Sequence, residues 1–98
     1  MKRFEWNEEK NEWLKEKRGI SFDEVVDAVE NNYVLDVFQH ENQKRHPGQY
    51  VLLITIKDYV YEVPFVIQKD ESWFLKTMYP SRKYTKRYIK KEKYENFF

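Results

Sequence analysis

The sequence predicts a single α+β domain with two N-terminal helices, a four-stranded antiparallel sheet and a C-terminal helix. Three observations predict it: helix-start signals near the N-terminus, four β-favouring runs after residue 32, and a basic, tyrosine-rich stretch after Pro80. The chain has 98 residues, enough for one modest core but not for two domains. Aromatic residues make up 18% of the chain, so large flat side chains should fill that core.

Local capping signals predict both N-terminal helices. Asn7 can accept from an unpaired amide of the first turn, and Gly19 fits just beyond a helix that ends at Arg18. Ser21 and Glu24 match a capping box for a second helix over residues 22–30. The side chains of this second helix that should face the core are Phe22, Val25, Val26 and Val29.

The strands are predicted over residues 33–38, 51–56, 59–67 and 72–79. Residues 51–56 are almost all apolar, as expected of a central strand covered on both faces or on one face plus a partner. Lys57 and Asp58 are a candidate two-residue hairpin loop, and Pro64 indicates an edge position or a bulge. The polar residues 39–49 form the predicted mobile loop.

Charge is distributed unevenly along the chain. Residues 1–30 have a balance of −3 and residues 31–72 of −2, whereas residues 73–98 carry eight basic and two acidic side chains. This dipolar pattern favours one face for a polyanion and another for a basic partner. The cations of the predicted C-terminal helix alternate with Tyr84, Tyr88 and Tyr94, and they are Arg82, Lys83, Lys86, Arg87, Lys90, Lys91 and Lys93. Such a set suits RNA, although a solvated amphipathic helix uses the same residues.

Several classes of site are excluded or disfavoured. The chain has no cysteine, so disulfides and thiolate metal sites are excluded. His40 and His46 lie six apart in the polar loop, a spacing that indicates ordinary loop residues rather than a metal pair, and we expect no metal or other cofactor. No apolar run of membrane-spanning length and no signal-peptide pattern are present, so we expect a cytoplasmic protein without a membrane partner.

Metal-free RNA cleavage is the chemistry that these residue types support. RNA supplies its own nucleophile, the 2′-hydroxyl, and Lys, Arg and Tyr can move protons and stabilise the phosphorane if clustered cations lower a lysine pKa. Candidate cations occur on the first helix, at Lys10 and Lys17, and after the last strand. For Trp6 and Trp13 a core position is favoured over base stacking, whereas packing and RNA contact remain equally open for Tyr84 and Tyr88.

Three motifs resemble those of one known family. They are FEWNEEKN over residues 4–11, KRGISFDEV over residues 17–25 and PSRKYTKRY over residues 80–88. In this order they are similar to the FEWD-type opening, the KHG[VI]SFEEA-type junction and the SARRAT-type strand end of the BrnT type II toxins. Arg18 stands where the family has a histidine, and Asn7 where it has an aspartate.

The resemblance implies a RelE-like fold and a ribonuclease that arrests translation. It also implies a cognate antitoxin that neutralises the toxin in a hetero-oligomer, with DNA contacted only through the antitoxin. By position, Lys10, Arg82 and Lys83 correspond to the family's basic residues and would bind phosphate and stabilise the transition state.

Tyr79 and Tyr88 are the candidate proton-transfer residues of this hypothesis, and they complete its catalytic set. The residues expected to bind RNA around that set are Lys17, Tyr84, Lys86 and Arg87. The alternative is a non-catalytic RNA-binding or antitoxin-binding module that uses the same basic helix.

Overall fold

The computed structural model of the chain describes residues 3–90 and confirms the α+β class. Within these residues, no helix is both long and apolar enough to cross a membrane. The elements are β1 (Phe4–Trp6), α1 (Glu8–Arg18), α2 (Phe22–Glu30), β2 (Val34–Gln39), β3 (Gln49–Ile56), β4 (Tyr59–Ile67), β5 (Trp73–Leu75), β6 (Tyr79–Pro80) and α3 (Arg82–Thr85), which continues as a π-helical segment (Lys86–Lys90).

The sheet differs from the prediction in strand number and in direction. Its order is β1-β5-β4-β3-β2, with β6 also beside β4, so six strands replace the four that were predicted. The pairing of β1 with β5 is parallel, and the other pairings are antiparallel. The sheet is therefore mixed. The sequence did not predict β1, because three residues are too short to form a β-favouring run.

The predicted strand over residues 72–79 is two short strands, and Pro64 explains the interruption. Pro64 lies inside β4, opposite Val51 of β3, so the predicted edge position is wrong. On its other side β4 pairs with β6 through Glu62 and with β5 from Phe65 onward. Proline has no amide hydrogen to donate, and the partner of β4 on this side changes from β6 to β5 at Pro64. The β3–β4 register is continuous at Pro64, so it shows no bulge there.

The first helix and the hairpin follow their predictions. The Asn7 side chain accepts from the Lys10 amide at 3.0 Å, and Gly19 adopts the left-handed conformation (φ 66°) after Arg18. Lys57 and Asp58 both have positive φ, 51° and 63°, as a tight two-residue hairpin loop requires.

The second helix has the predicted bounds but not the predicted cap. Ser21 makes no side-chain capping bond, and the Glu24 amide instead bonds to the Ser21 backbone carbonyl at 3.1 Å. Phe22 and Val25 are buried as predicted, and Ala28 joins them, whereas Val26 and Val29 are only half-buried. The capping box is therefore wrong as a source of α2 stability.

Two apolar clusters cover opposite faces of the sheet. The first joins both N-terminal helices to the sheet through side chains such as Leu14, Phe22, Leu52 and Phe65. The second packs Tyr84 of α3 onto Val51, Leu53 and Val60. The central strand β3 therefore contributes alternate residues to both clusters, which confirms its predicted burial on both faces.

Candidate active site

A small cleft opens on the sheet face that carries α3. Its volume is about 150 Å³. Phe38, Val51 and Tyr84 form its apolar wall, and these residues belong to the second cluster or pack against it. The polar residues that line the cleft are His40, Glu41, Glu62 and Lys83. An apolar wall with a few convergent charged groups is typical of a ligand site.

Glu62 and Tyr79 form a polar pair beside this cleft. They are opposite each other in the β4–β6 register, and the Tyr79 hydroxyl donates to Glu62 Oε1 at 3.4 Å. Burial raises the pKa of Tyr79, the Glu62 charge and hydrogen bond raise it further, and Arg18 opposes the shift. Tyr79 therefore stays protonated near neutral pH, where it can donate to the carboxylate but cannot act as a base.

Lys83 brings a positive charge to the same cleft from the first turn of α3. That turn is fixed by Ser81, whose side chain accepts from the Tyr84 amide at 3.2 Å. Lys83 is exposed, and its Nζ lies 5.1 Å from the centroid of the Tyr84 ring. Glu62 and Lys83 thus line one cleft with opposite charges, and Arg82 is exposed in the same turn.

His40 enters the cleft from the end of β2. Its amide donates to the Gln49 carbonyl at 2.9 Å, and its Nδ1 accepts from the Asn42 amide at 3.0 Å. A neutral ring with Nδ1 as acceptor carries its proton on Nε2, which leaves an N–H donor. Its ring lies 4.3 Å from that of His46, centroid to centroid. The part of the chain that the structure describes holds no cluster of three His, Cys, Asp or Glu side chains suited to a metal ion.

Comparisons with known proteins do not extend this description. A scan against protein-family models and searches of the curated proteins and of the solved structures found no match. A function can therefore be proposed only from the side chains of the cleft and from the sequence motifs.

Helix α1 packs on the sheet face opposite the cleft, and only its last residue, Arg18, reaches the strand that carries Tyr79. Lys10 Nζ is 4.2 Å and Arg18 Cζ 5.0 Å from the centroid of the Trp13 ring, and Lys17 is exposed. This helix packs on the first apolar cluster through Leu14, whereas Lys83 lies on the opposite sheet face, beside the second apolar cluster. Lys10 and Lys83 are therefore not brought together in one site.

The two tryptophans of the N-terminal region have different environments. Trp6 is half-buried and packs against the first cluster, with its ring 5.6 Å from that of Phe22, so it lies at the border of the core rather than inside it. Trp13 is 39% exposed, so the core prediction is wrong for this residue. The cations of Lys10 and Arg18 lie over the Trp13 ring instead, in cation–π contacts.

Arg18 connects α1 to the strand that carries Tyr79. Its Nη1 donates to the Met78 carbonyl at 2.5 Å, and its charge acts on Tyr79. The sequence drew attention to Arg18 only because it replaces a histidine of the resembling family. Its contact with residue 78 joins positions 60 apart in the chain, so no local pattern could reveal it.

The tyrosines of the C-terminal helix pack against the sheet rather than project into solvent. Tyr84 is 9% exposed in the second cluster, and Tyr88 packs against that cluster with its ring 6.3 Å from Tyr84. Packing is thus the alternative that the structure favours for both rings. Lys86 and Arg87 are exposed, as an electrostatic role requires. The predicted contributions of Lys91, Lys93 and Tyr94 lie outside the described residues.

Glu62 and His40 are the cleft residues that sequence reasoning missed as functional groups. The signal for Glu62 was available, because it is an acidic side chain in an otherwise mostly apolar strand. His40 was considered only as half of a metal pair. Its position opposite Lys83 depends on how β2 and α3 are placed on the sheet, which the sequence does not encode locally.

Proposed function

We propose that the chain is a metal-independent endoribonuclease of the BrnT toxin type. The observation that supports it best is the cleft that Glu62, bonded by Tyr79, lines together with Lys83 and His40. A carboxylate, an ammonium and an N–H donor are the groups that phosphodiester transfer to a 2′-hydroxyl needs, and they need no metal.

The proposed reaction is an internal transesterification. Glu62 accepts the proton of the 2′-hydroxyl, whose oxygen attacks the adjacent phosphorus. Arg82 and Lys83 neutralise the charge of the phosphorane, and the His40 Nε2–H donates to one of its oxygens. The P–O5′ bond then breaks, and the leaving oxygen takes a proton from the Lys83 ammonium, giving a 2′,3′-cyclic phosphate and a 5′-hydroxyl.

In this scheme Tyr79 is a positioning residue. Because its pKa is raised, its hydroxyl remains a donor and orients Glu62 toward the cleft. The exposed Lys86 and Arg87 attract the flanking phosphates, since cations near the backbone bind RNA without reading its sequence. Lys10 and Lys17 contribute at most a distant phosphate contact from α1.

The remaining parts of the proposal come from the motif resemblance. They are a RelE-like fold, a cytoplasmic location and a cognate antitoxin. The antitoxin would neutralise the enzyme in a hetero-oligomer, and DNA would be contacted only by the antitoxin. The order of two helices, a sheet and a basic C-terminal helix supports this extension, as do the three motifs in their family order.

The test is incubation of the purified protein with a long RNA in EDTA. We expect fragments ending in 2′,3′-cyclic phosphate, and no cleavage by Glu62→Gln or Arg82→Ala. Glu30→Gln, an exposed glutamate on α2, is the matched control and should cleave normally. An RNA with 2′-deoxyribose at the cleaved positions should stay intact there.

The same experiment separates the two function classes. Intact RNA that the protein nevertheless binds, with an affinity that falls steeply as salt rises, would support the non-catalytic RNA-binding module. Intact RNA without binding contradicts both. Cleavage that survives Glu62→Gln overturns the assignment of the base.

A further inference from the structure

Exposed apolar side chains are concentrated at the start of β2. Among the described residues, five large hydrophobic side chains are exposed, and three of them lie within residues 33–37. Tyr33 is 56%, Val34 36% and Val37 40% exposed. Single exposed apolar residues are common on protein surfaces, but several within one short segment of a small domain make a candidate contact surface. We call these three residues the β2 strip.

The β2 strip continues the first core to the edge of the sheet. Val34 is opposite Ile54 and Val37 is opposite Leu52, and both partners belong to the first cluster. Val34 and Val37 therefore lie on the sheet face that carries α2, and Tyr33 lines a groove between α2 and the sheet. Tyr33 joins the strip to α2, since its amide donates to the Ala28 carbonyl at 2.8 Å.

The backbone of β2 is poorly suited to receiving another strand. Its pairing with β3 is irregular between Val34 and Asp36, and Asp36 Oδ1 accepts from the Val37 amide at 2.8 Å. Irregular pairing and charged side chains are ways in which proteins protect a sheet edge. A partner would therefore use side-chain contacts, and a helix laid beside α2 provides these without needing free backbone groups.

The surroundings of the strip are acidic. The second helix carries Asp23, Glu24, Asp27 and Glu30 and no basic residue. A groove of about 230 Å³ lies where α2 meets the β3–β4 hairpin, and Tyr33, Glu24 and Asp27 line it together with Lys57. The groove thus offers two carboxylates and one ammonium beside an apolar tyrosine ring.

We propose that the β2 strip and this groove bind a basic amphipathic helix of another protein. Its apolar face would cover Tyr33, Val34 and Val37, and its Lys or Arg side chains would pair with Glu24 and Asp27. A second copy of this chain fits poorly, because a two-fold contact would bring the acidic α2 close to its own copy. The inference depends on surface chemistry alone and does not require the proposed nuclease activity.

A synthetic leucine–lysine amphipathic helix of about 18 residues, roughly five turns, is the probe. We expect it to bind the full chain, to shift the NMR signals of residues 27, 33 and 37, and to lose affinity as salt rises. Val37→Lys and Asp27→Lys should each weaken binding at least about tenfold, the equivalent of about 1.4 kcal/mol. Ile67→Lys, an equally exposed apolar strand residue elsewhere, is the matched control and should bind normally.

The contrary results are equally specific. Equal binding of a leucine–glutamate helix, unchanged affinity in both variants, or shifts confined to other surfaces would overturn the proposal. A dimer of the free protein that Val37→Lys dissociates would assign the strip to self-association instead. Far-ultraviolet circular dichroism of each variant confirms that it is folded.

Discussion

The side chain of Asn11, in α1, forms hydrogen bonds with the first residues of α2. Its Oδ1 accepts from the Phe22 amide at 2.8 Å, and its Nδ2 donates to Asp23 Oδ2 at 3.2 Å. Asn11 is 1% exposed, and its bond to the Phe22 amide is buried, whereas the bond to Asp23 is only partly buried. The first amide of α2 is thus bonded by a residue of α1 rather than by its own capping box, and the two helices are fixed as one unit.

Replacing Asn11 by alanine should therefore destabilise the whole domain. The change leaves the buried Phe22 amide without an acceptor, which costs about 1–3 kcal/mol. The free energy of unfolding from urea titration measures it. Asn7→Ala is the control, since it removes an exposed helix cap and should cost about 1 kcal/mol. A smaller loss for Asn11→Ala than for Asn7→Ala would contradict the assigned role.

A second buried bond attaches α3 to the sheet. Thr85 Oγ1 accepts from the Val60 amide at 2.8 Å, and Thr85 is 2% exposed. Thr85→Val keeps the shape but removes the acceptor, so we expect a loss of about 1–3 kcal/mol in unfolding free energy. Thr85→Ser keeps the hydroxyl and should lose less. Equal losses in the two variants would show that packing, not the hydrogen bond, holds the helix.

Tyr79 gives the protein a specific alkaline response. Burial first, and Glu62 second, raise its pKa above the ordinary value of 10.0. A raised pKa means that its contribution to stability is complete below pH 10 and is lost as pH rises through the folded-state value. In a tyrosinate absorbance titration, Tyr79→Phe should remove a tyrosine whose pKa lies above the ordinary value. Loss of a tyrosine whose pKa lies at or below the ordinary value would show that the pKa of Tyr79 is not raised.

Two lysine substitutions test whether the proposed catalytic centre is the cleft or α1. Lys83 lines the cleft with Glu62, whereas Lys10 rests on Trp13. Lys83→Ala should lower the turnover number on RNA by about 10²–10³, the usual effect of losing one transition-state donor. Lys10→Ala should lower it less than about tenfold. The reverse order, measured under single-turnover conditions, would move the centre to α1.

Elements with local signals were predictable from the sequence. Asn7, Gly19 and the residues 57–58 act through neighbours a few positions away, so α1 and the hairpin have their predicted bounds. The apolar run in β3 likewise predicted burial on both faces, because alternate side chains must be covered on each side.

Features that depend on distant parts of the chain were not predictable. The capping box of Ser21 was a sound local pattern, but the Phe22 amide is bonded by Asn11, 11 residues away. The break between β5 and β6 depends on Pro64 lying opposite it, and β1 becomes a strand only where β5 pairs with it. The candidate site has the same origin, because Glu62, Tyr79, Lys83 and His40 meet only after the sheet is assembled.

The parallel pairing of β1 with β5 has a consequence for synthesis of the chain. Phe4 pairs with Trp73, so β1 has no partner until the ribosome has made the residues that separate it from β5. Contacts of such high sequence separation slow folding, since a long loop must close before they form. The β1–β5 pairing can therefore form only after both N-terminal helices and the β3–β4 hairpin have been made.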